Sequence, residues 1–222
     1  VLEETGIELD PDVLTIGFAR RAATYKRADL VFSDVKRLVE IAGGKVQFIF
    51  SGKAHPHDEP GKDMLQHINR VSKELGAKLP VVFIENYNMG PAKLITSGVD
   101  LWLNTPVREA SGTSGMKCVH NGVMNFSVLD GWWIEGCIEG RTGWAIGPEP
   151  TENGLVEYNE AEDAVDLYNK LEQKIIPTYY ENRKEWIKMM KLAIAINASY
   201  FNTHRVVHEY CEKAYGTVFR GH

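Results

Sequence analysis

Short apolar runs alternate with segments of helical spacing along the first 130 residues. Residues 13–19 (V-L-T-I-G-F-A), 45–50 (K-V-Q-F-I-F), 80–84 (P-V-V-F-I), 99–103 and 126–129 are too short for buried helices and rich in β-branched and aromatic side chains, so each predicts a strand. Between them, Leu30, Val31, Val35, Leu38, Val39 and Ala42 recur at helical spacing and predict a helix over 28–41, stopped by Gly43-Gly44. Met64, Leu65, Ile68, Val71 and Leu75 predict another over 60–75, ended by Gly76. Shorter helices are predicted over 89–97 and 116–124. After Gly131 the chain turns loop-rich, with Trp132, Trp133, Gly136, Gly140, Gly143, Trp144 and Gly147. From Glu160 it is helical again. Val165, Tyr168, Leu171 and Ile175 share one face up to Pro177; Trp186, Met189, Ala193 and Ile196 continue beyond it, and Val207, Tyr210 and Ala214 mark a last helix.

Strands alternating with helices mean βαβ units, hence an α/β, Rossmann-like parallel sheet flanked by helices. Such sheets bind ligands at the carboxyl ends of their strands. Four loops fall there: residues 20–27, 51–56, 85–87 and 105–117. One composite site at one sheet edge is therefore expected. The chain has no internal repeat and no evident linker, so residues 1–222 are expected to form one domain, with 160–222 a helical region packing on it.

The last of those loops is the richest. Ser111 to Gly115 offers two serines, a threonine and two glycines, directly before the predicted helix that carries Lys117 on its first turn. The N–H groups of a Gly/Ser/Thr loop opening a helix suit an anion. Most lysines are solvated surface charges. Here Met116, Cys118 and Val119 surround Lys117, so its helix is expected to be largely buried, and a buried lysine needs a partner or a covalent use. The first loop, R-R-A-A-T-Y-K-R, carries four cations in eight residues. Cations at a helix start oppose its dipole, so this cluster fits an oxyanion better than a solvated turn. Glu109 is an exposed acid near a helix start or an acceptor for a sugar hydroxyl, and residue chemistry alone leaves both open. His55 and His57 have no third ligand at a recognised spacing, so a metal is not expected. Paired Trp132 and Trp133 are more often core than a stacking platform. No G-x-G-x-x-G follows any strand, so there is no dinucleotide fingerprint.

Composition bounds this picture without changing it. The 222 residues are 44% apolar and 25% charged, an ordinary globular balance. A net charge of −5 argues against a nucleic-acid binder driven by bulk electrostatics. No apolar run approaches the roughly 20 residues of a membrane span. Cys118, Cys137 and Cys211 are odd in number, widely spaced and without a CxxC, which fits a reducing cytoplasm. The acidic, polar start is unlike a secretory leader. It also lacks an initiator methionine, so a fragment of a longer protein is expected.

The motifs R-R-A-A-T-Y-K-R, S-G-K-A-H-P, V-F-I-E-N-Y-N-M, V-D-L-W-L-N-T-P, E-A-S-G-T-S-G-M-K, L-D-G-W-W-I-E-G and F-N-T-H-R-V-V-H-E-Y, in this order, cover most of the chain. Together the chain resembles the α-glucan phosphorylases, in wording closer to the shorter bacterial and archaeal branch. The resemblance implies a GT-B glycosyltransferase, of which this would be the C-terminal domain, with the N-terminal domain absent. It implies pyridoxal 5′-phosphate held as a Schiff base on Lys117, with the cofactor phosphate sharing protons with substrate phosphate. The reaction implied is removal of a terminal glucose from an α-1,4-glucan by inorganic phosphate, giving glucose 1-phosphate with retention. By matching positions, Arg21 and Lys26 would bind substrate phosphate. Thr113 and Ser114 would hold the cofactor phosphate through backbone amides, with Arg20 beside it and Tyr87 lining the cofactor. Glu109, Ser111 and Gly112 would meet the glucosyl unit.

Three departures stand out. Arg20 replaces a lysine of the animal enzymes, Ser114-Gly115 replaces a common Gly-Asn, and the stretch between Pro106 and Glu109 is short. Without the N-terminal domain, little activity is expected of this chain alone. The full-length protein is expected to be a cytoplasmic homodimer, with neither nucleic acid nor membrane as partner. Two other function classes fit the residues less well: a nucleotide-sugar-dependent GT-B synthase, which needs no cofactor lysine, and a non-catalytic phosphate-binding module.

Overall fold

The computed structural model describes residues 1–149 and 158–216. Six parallel strands form one sheet: β1 (Leu14–Ala19), β2 (Val46–Ser51), β3 (Val81–Ile84), β4 (Leu101–Asn104), β5 (Met124–Val128) and β6 (Gly143–Ile146). Their spatial order is β3-β2-β1-β4-β5-β6. The order reverses between β1 and β4, in register Ile16↔Leu101 and Gly17↔Trp102. That is the switch point where a doubly wound sheet opens a crevice at its strand ends. The strands read as continuous apolar runs because helices cover both faces. Leu14, Ile16, Phe48, Phe50, Leu101 and Phe126 are buried on one side; Ile49, Val82, Val99, Trp102 and Cys118 are buried on the other.

The helices start where short polar side chains cap them. Asp34 accepts from Arg37 N at the start of Val35–Ala42, Asp58 from Gly61 N at Glu59–Leu75, and Asn88 from Gly90 N at Met89–Gly98. Each cap satisfies an otherwise orphaned donor of the first turn.

Three local expectations are corrected. The helix predicted over 28–41 begins only at Val35, after two 3₁₀ turns, Thr24–Lys26 and Leu30–Phe32. Arg27, at φ 43°, adopts the left-handed conformation and ends the first turn. Leu30 and Val31 are nevertheless core residues, so their spacing reported burial and not helix. The helix predicted over 116–124 is Thr113–Val119. Gly122, at φ 75°, reverses the chain there, and Met124 is already in β5. The stretch read as loop after Gly131 contains β6, whose four residues are all buried. It is short and glycine-flanked, which hid it.

In the helical region Leu167, Tyr168, Leu171, Ile175, Trp186 and Met189 join the same core as the sheet, and the Trp144 and Trp186 rings lie 5.8 Å apart. Pro177 does not stop the run, because a π-helical turn, Leu171–Ile175, precedes it and leads directly into Ile176–Glu181. Val165, expected on the core face, is 49% exposed. Val207 and Tyr210 in the last helical segment are exposed as well. Residues 217–222 of the expected helical tail lie outside the described residues.

Candidate functional site

Parallel pairing puts the ends of β1 to β4 on one edge, and backbone hydrogen bonds tie their loops together. Arg20 N donates to Ser51 O (3.1 Å), Ala22 N to Lys53 O (2.9 Å) and Val107 N to Tyr25 O (2.7 Å). Ser51 Oγ donates to Ile84 O (2.7 Å), linking β2 to the end of β3. The loop after β1 is thus held between its two neighbours.

Three of its four cations do not face water, as those of a solvated turn would. Arg20, Lys26 and Arg27 are buried, whereas Arg21 is exposed. Arg20 Nη1 donates to Asn104 Oδ1 at the end of β4 (2.5 Å), and Nη2 to Glu109 Oε2 (2.5 Å). Lys26 Nζ donates to the same Glu109 oxygen (2.6 Å). Two cations sharing one carboxylate oxygen leave the cluster with surplus positive charge. Burial pushes the Arg20 guanidinium below its ordinary value, with Glu109 opposing. Burial also pulls the Glu109 carboxyl up, but the hydrogen bond from Lys26 and the charge of Arg20 outweigh it and hold it below the usual range. Arg20 Nε is buried without a hydrogen-bond partner. An unsatisfied buried donor on a cation fits an anion as its complement.

The Glu109–Gly112 stretch rests on the turn after β5. Glu109 N–H donates to Asp130 Oδ2, and Trp132 N–H to Ser111 O (3.0 Å). A Cβ built at Gly131 would lie 2.6 Å from Ser111 O, and Gly131 has φ 53°, so the close approach requires glycine there. Burial raises the Asp130 carboxyl above its ordinary value, with the Gly131 N–H opposing. Gly112, at φ 75°, then opens Thr113–Val119. The N–H groups of Thr113 and Ser114 lie in the first turn, where a helix has no acceptor for them. Ser114 Oγ accepts from Trp102 Nε1 (3.2 Å), which fixes that side chain from β4.

Lys117 corrects the burial argument. It is exposed, and it sits in the last turn of the helix and not the first. Cys118 and Val119 are the buried neighbours. Lys117 lines a largely apolar groove of about 680 Å³ together with Thr113, Met116, His120 and Phe201. None of the described hydrogen bonds or ion pairs of its side chain joins it to the Arg20–Lys26–Glu109 cluster. Tyr87 is half-buried against the core that holds Cys118. Burial raises its hydroxyl, and the charge of Arg20 pulls it back down, so the two side chains feel each other.

The structure therefore brings Arg20, Lys26 and Glu109 together and places Tyr87 near Arg20, while Ser111, Gly112 and the first residues of helix Thr113–Val119 follow Glu109 along the chain. Asn104, Asp130 and Trp102 support this arrangement and were missed in the sequence. Their only signal was position: Trp102 within β4, Asn104 at its end and Asp130 just beyond β5. The His55 and His57 rings lie 5.5 Å apart and tilted, and no group of three or more metal-ligating side chains occurs among the described residues. Trp132 and Trp133 are buried, as paired tryptophans usually are.

The family model described as carbohydrate phosphorylase matches residues 1–143. Among curated relatives, the maltodextrin phosphorylase of Thermococcus litoralis is 51% identical over 219 residues, covering 96% of this chain and 26% of the relative. The glycogen phosphorylase of Aquifex aeolicus is 44% identical over 232 residues, covering 99% of this chain and 32% of the relative. That of Mycobacterium tuberculosis (strain H37Rv) is 38% identical over 218 residues, covering 93% and 25%. The chain thus spans about a quarter to a third of the length of these relatives. No described helix is long and apolar enough to cross a membrane.

Proposed function

The chain belongs to the carbohydrate phosphorylase family, and from that premise we propose that it is the cofactor- and phosphate-binding part of a pyridoxal 5′-phosphate-dependent α-1,4-glucan phosphorylase. The family's GT-B fold sets two Rossmann-like units across a cleft, and the six-stranded sheet is one such unit. The observation that carries the reading is the convergence of buried Arg20 and Lys26 at the β1/β4 switch point, beside the loop that leads to Lys117.

The chemistry asks for two phosphate groups side by side. Like charges at that distance repel unless cations and N–H dipoles surround them. Arg21 and Lys26 take the substrate phosphate. Arg21 is exposed and free to swing onto it, and Lys26 is anchored in the 3₁₀ turn after β1. Arg20, with its spare Nε donor, and the amides of Thr113 and Ser114 would hold the cofactor phosphate. Tyr87 would line the cofactor. Glu109, Ser111 and Gly112 meet the glucosyl unit, their backbone fixed by Asp130 and Trp132. Lys117 is exposed, and its amine would hold the cofactor. When bound, the cofactor supplies a phosphate group that exchanges a proton with substrate phosphate. Inorganic phosphate, an α-1,4-glucan and glucose 1-phosphate are the ligands implied. The whole protein is proposed to act in the cytoplasm.

The full-length polypeptide, given maltoheptaose, phosphate and cofactor, is expected to release glucose 1-phosphate with no nucleotide sugar present. The 222-residue chain alone is expected to release little. Glucosyl transfer that depends on a nucleotide sugar and ignores phosphate would replace this reading with the synthase.

A further inference from the structure

Glu109 stands where an incoming oxyanion has to go. Its Oε2 accepts from Lys26 Nζ at 2.6 Å and from Arg20 Nη2 at 2.5 Å, and both cations are buried. The Glu109 side chain is itself only 17% exposed. Charge-assisted hydrogen bonds of this kind are about twice as strong as neutral ones. A tetrahedral oxyanion needing Lys26 cannot be held there while the carboxylate fills the same position.

We propose that Glu109 is a built-in competitor for the oxyanion site: its carboxylate holds Lys26 and must leave it before a phosphate can take its place. The inference rests on Lys26 being a phosphate ligand, as proposed above. Glu109 is attached to the loop through a backbone already fixed by Asp130, so only its side chain has to move. The freed carboxylate is an acceptor at the same loop that carries Ser111 and Gly112, which makes arrival of the oxyanion the event that presents Glu109 to a sugar hydroxyl. The carboxylate also sets a threshold. Every anion has to overcome the same pairing, and one that binds the two cations weakly does not displace it.

Competition differs from a fixed negative charge in a measurable way. A competitor that leaves costs every ligand the same free energy. A fixed charge repels a dianion roughly twice as strongly as a monoanion. Sulfate and nitrate stay a dianion and a monoanion at neutral pH, so their titration into the chain, followed at the amides of the 20–27 and 109–115 loops by NMR, separates the two cases. Glu109→Gln is expected to tighten sulfate and nitrate by the same factor, roughly tenfold or more for loss of a charge-assisted pair. Glu109→Asp keeps the charge but shortens the reach to Lys26, and is expected to tighten sulfate as well; it also guards against Glu109→Gln failing to fold. A sulfate gain near the square of the nitrate gain, or an Asp variant that binds as the wild type does, would overturn the competitor. If neither wild type nor variants bind sulfate at these loops, both the competitor and the phosphate role of Lys26 fail.

Discussion

Lys117→Ala in the full-length polypeptide is expected to abolish cofactor attachment and lower glucan phosphorolysis on the order of 10²–10⁴-fold, the scale of losing a positioned proton-transfer group. In the cofactor-free 222-residue chain, stability should barely change. Lys117 is exposed, and a surface substitution of this kind stays within about 0.5 kcal/mol, or roughly 1–2 °C in melting temperature for a chain of this size. Lys117→Arg sharpens the test. It keeps the positive charge but offers no amine able to form an imine with the cofactor, so it should lose activity as fully as the alanine variant. Activity retained by the arginine variant would reduce Lys117 to a charge. The two measurements, a melting curve and a glucose 1-phosphate assay, together separate a chemical role from a structural one.

The largest stability effect is expected at Asp163, which is not among the residues proposed to meet substrate or cofactor. Arg27 Nη2 pairs with Asp163 Oδ2 at 2.7 Å, with both side chains under 10% exposed. Arg27 also donates through Nε to Thr105 O (2.7 Å) and through Nη2 to Pro106 O (3.0 Å). One buried guanidinium thereby joins the loop after β1, the loop after β4 and helix Glu160–Lys170. Asp163→Ala leaves that cation buried and unpaired, which costs about 3–5 kcal/mol. Urea denaturation should show this as a lower midpoint with an unchanged slope. Replacing the pair together, Arg27→Met with Asp163→Leu, should recover much of the loss, since desolvating the ion pair was itself costly. A double variant no more stable than Asp163→Ala would mean that the carbonyl contacts of Arg27 matter more than its charge.

The sheet was legible because its strands are buried on both faces, which prints continuous apolar runs such as 13–19 and 80–84 between glycine and proline punctuation. β6 was not, because four residues among glycines carry no such run. The 28–41 helix was overdrawn for a related reason. Leu30 and Val31 are buried, but a left-handed Arg27 and a capping Asp34 divide the segment into turns, and spacing reports burial without backbone geometry. Lys117 shows the converse. Flanking apolar residues suggested burial, yet successive helix positions point about 100° apart, so Cys118 faces the core while Lys117 faces out. The loops expected at one edge followed from parallel topology alone. The pairing of Glu109 with Arg20 and Lys26 spans 89 and 83 positions, a contact no local pattern encodes. Asn104 and Asp130 were invisible for the same reason: each acts only through a partner brought to it by the fold.

The central claim is that Lys117 carries the cofactor. The most direct measurement incubates the full-length polypeptide with pyridoxal 5′-phosphate, reduces it with borohydride and maps the modified peptide by mass spectrometry. The account predicts one phosphopyridoxyl group per chain, on Lys117, and none at stoichiometric level elsewhere. A stoichiometric adduct on another lysine, or none on Lys117 in a protein that still phosphorolyses glucan, would contradict it.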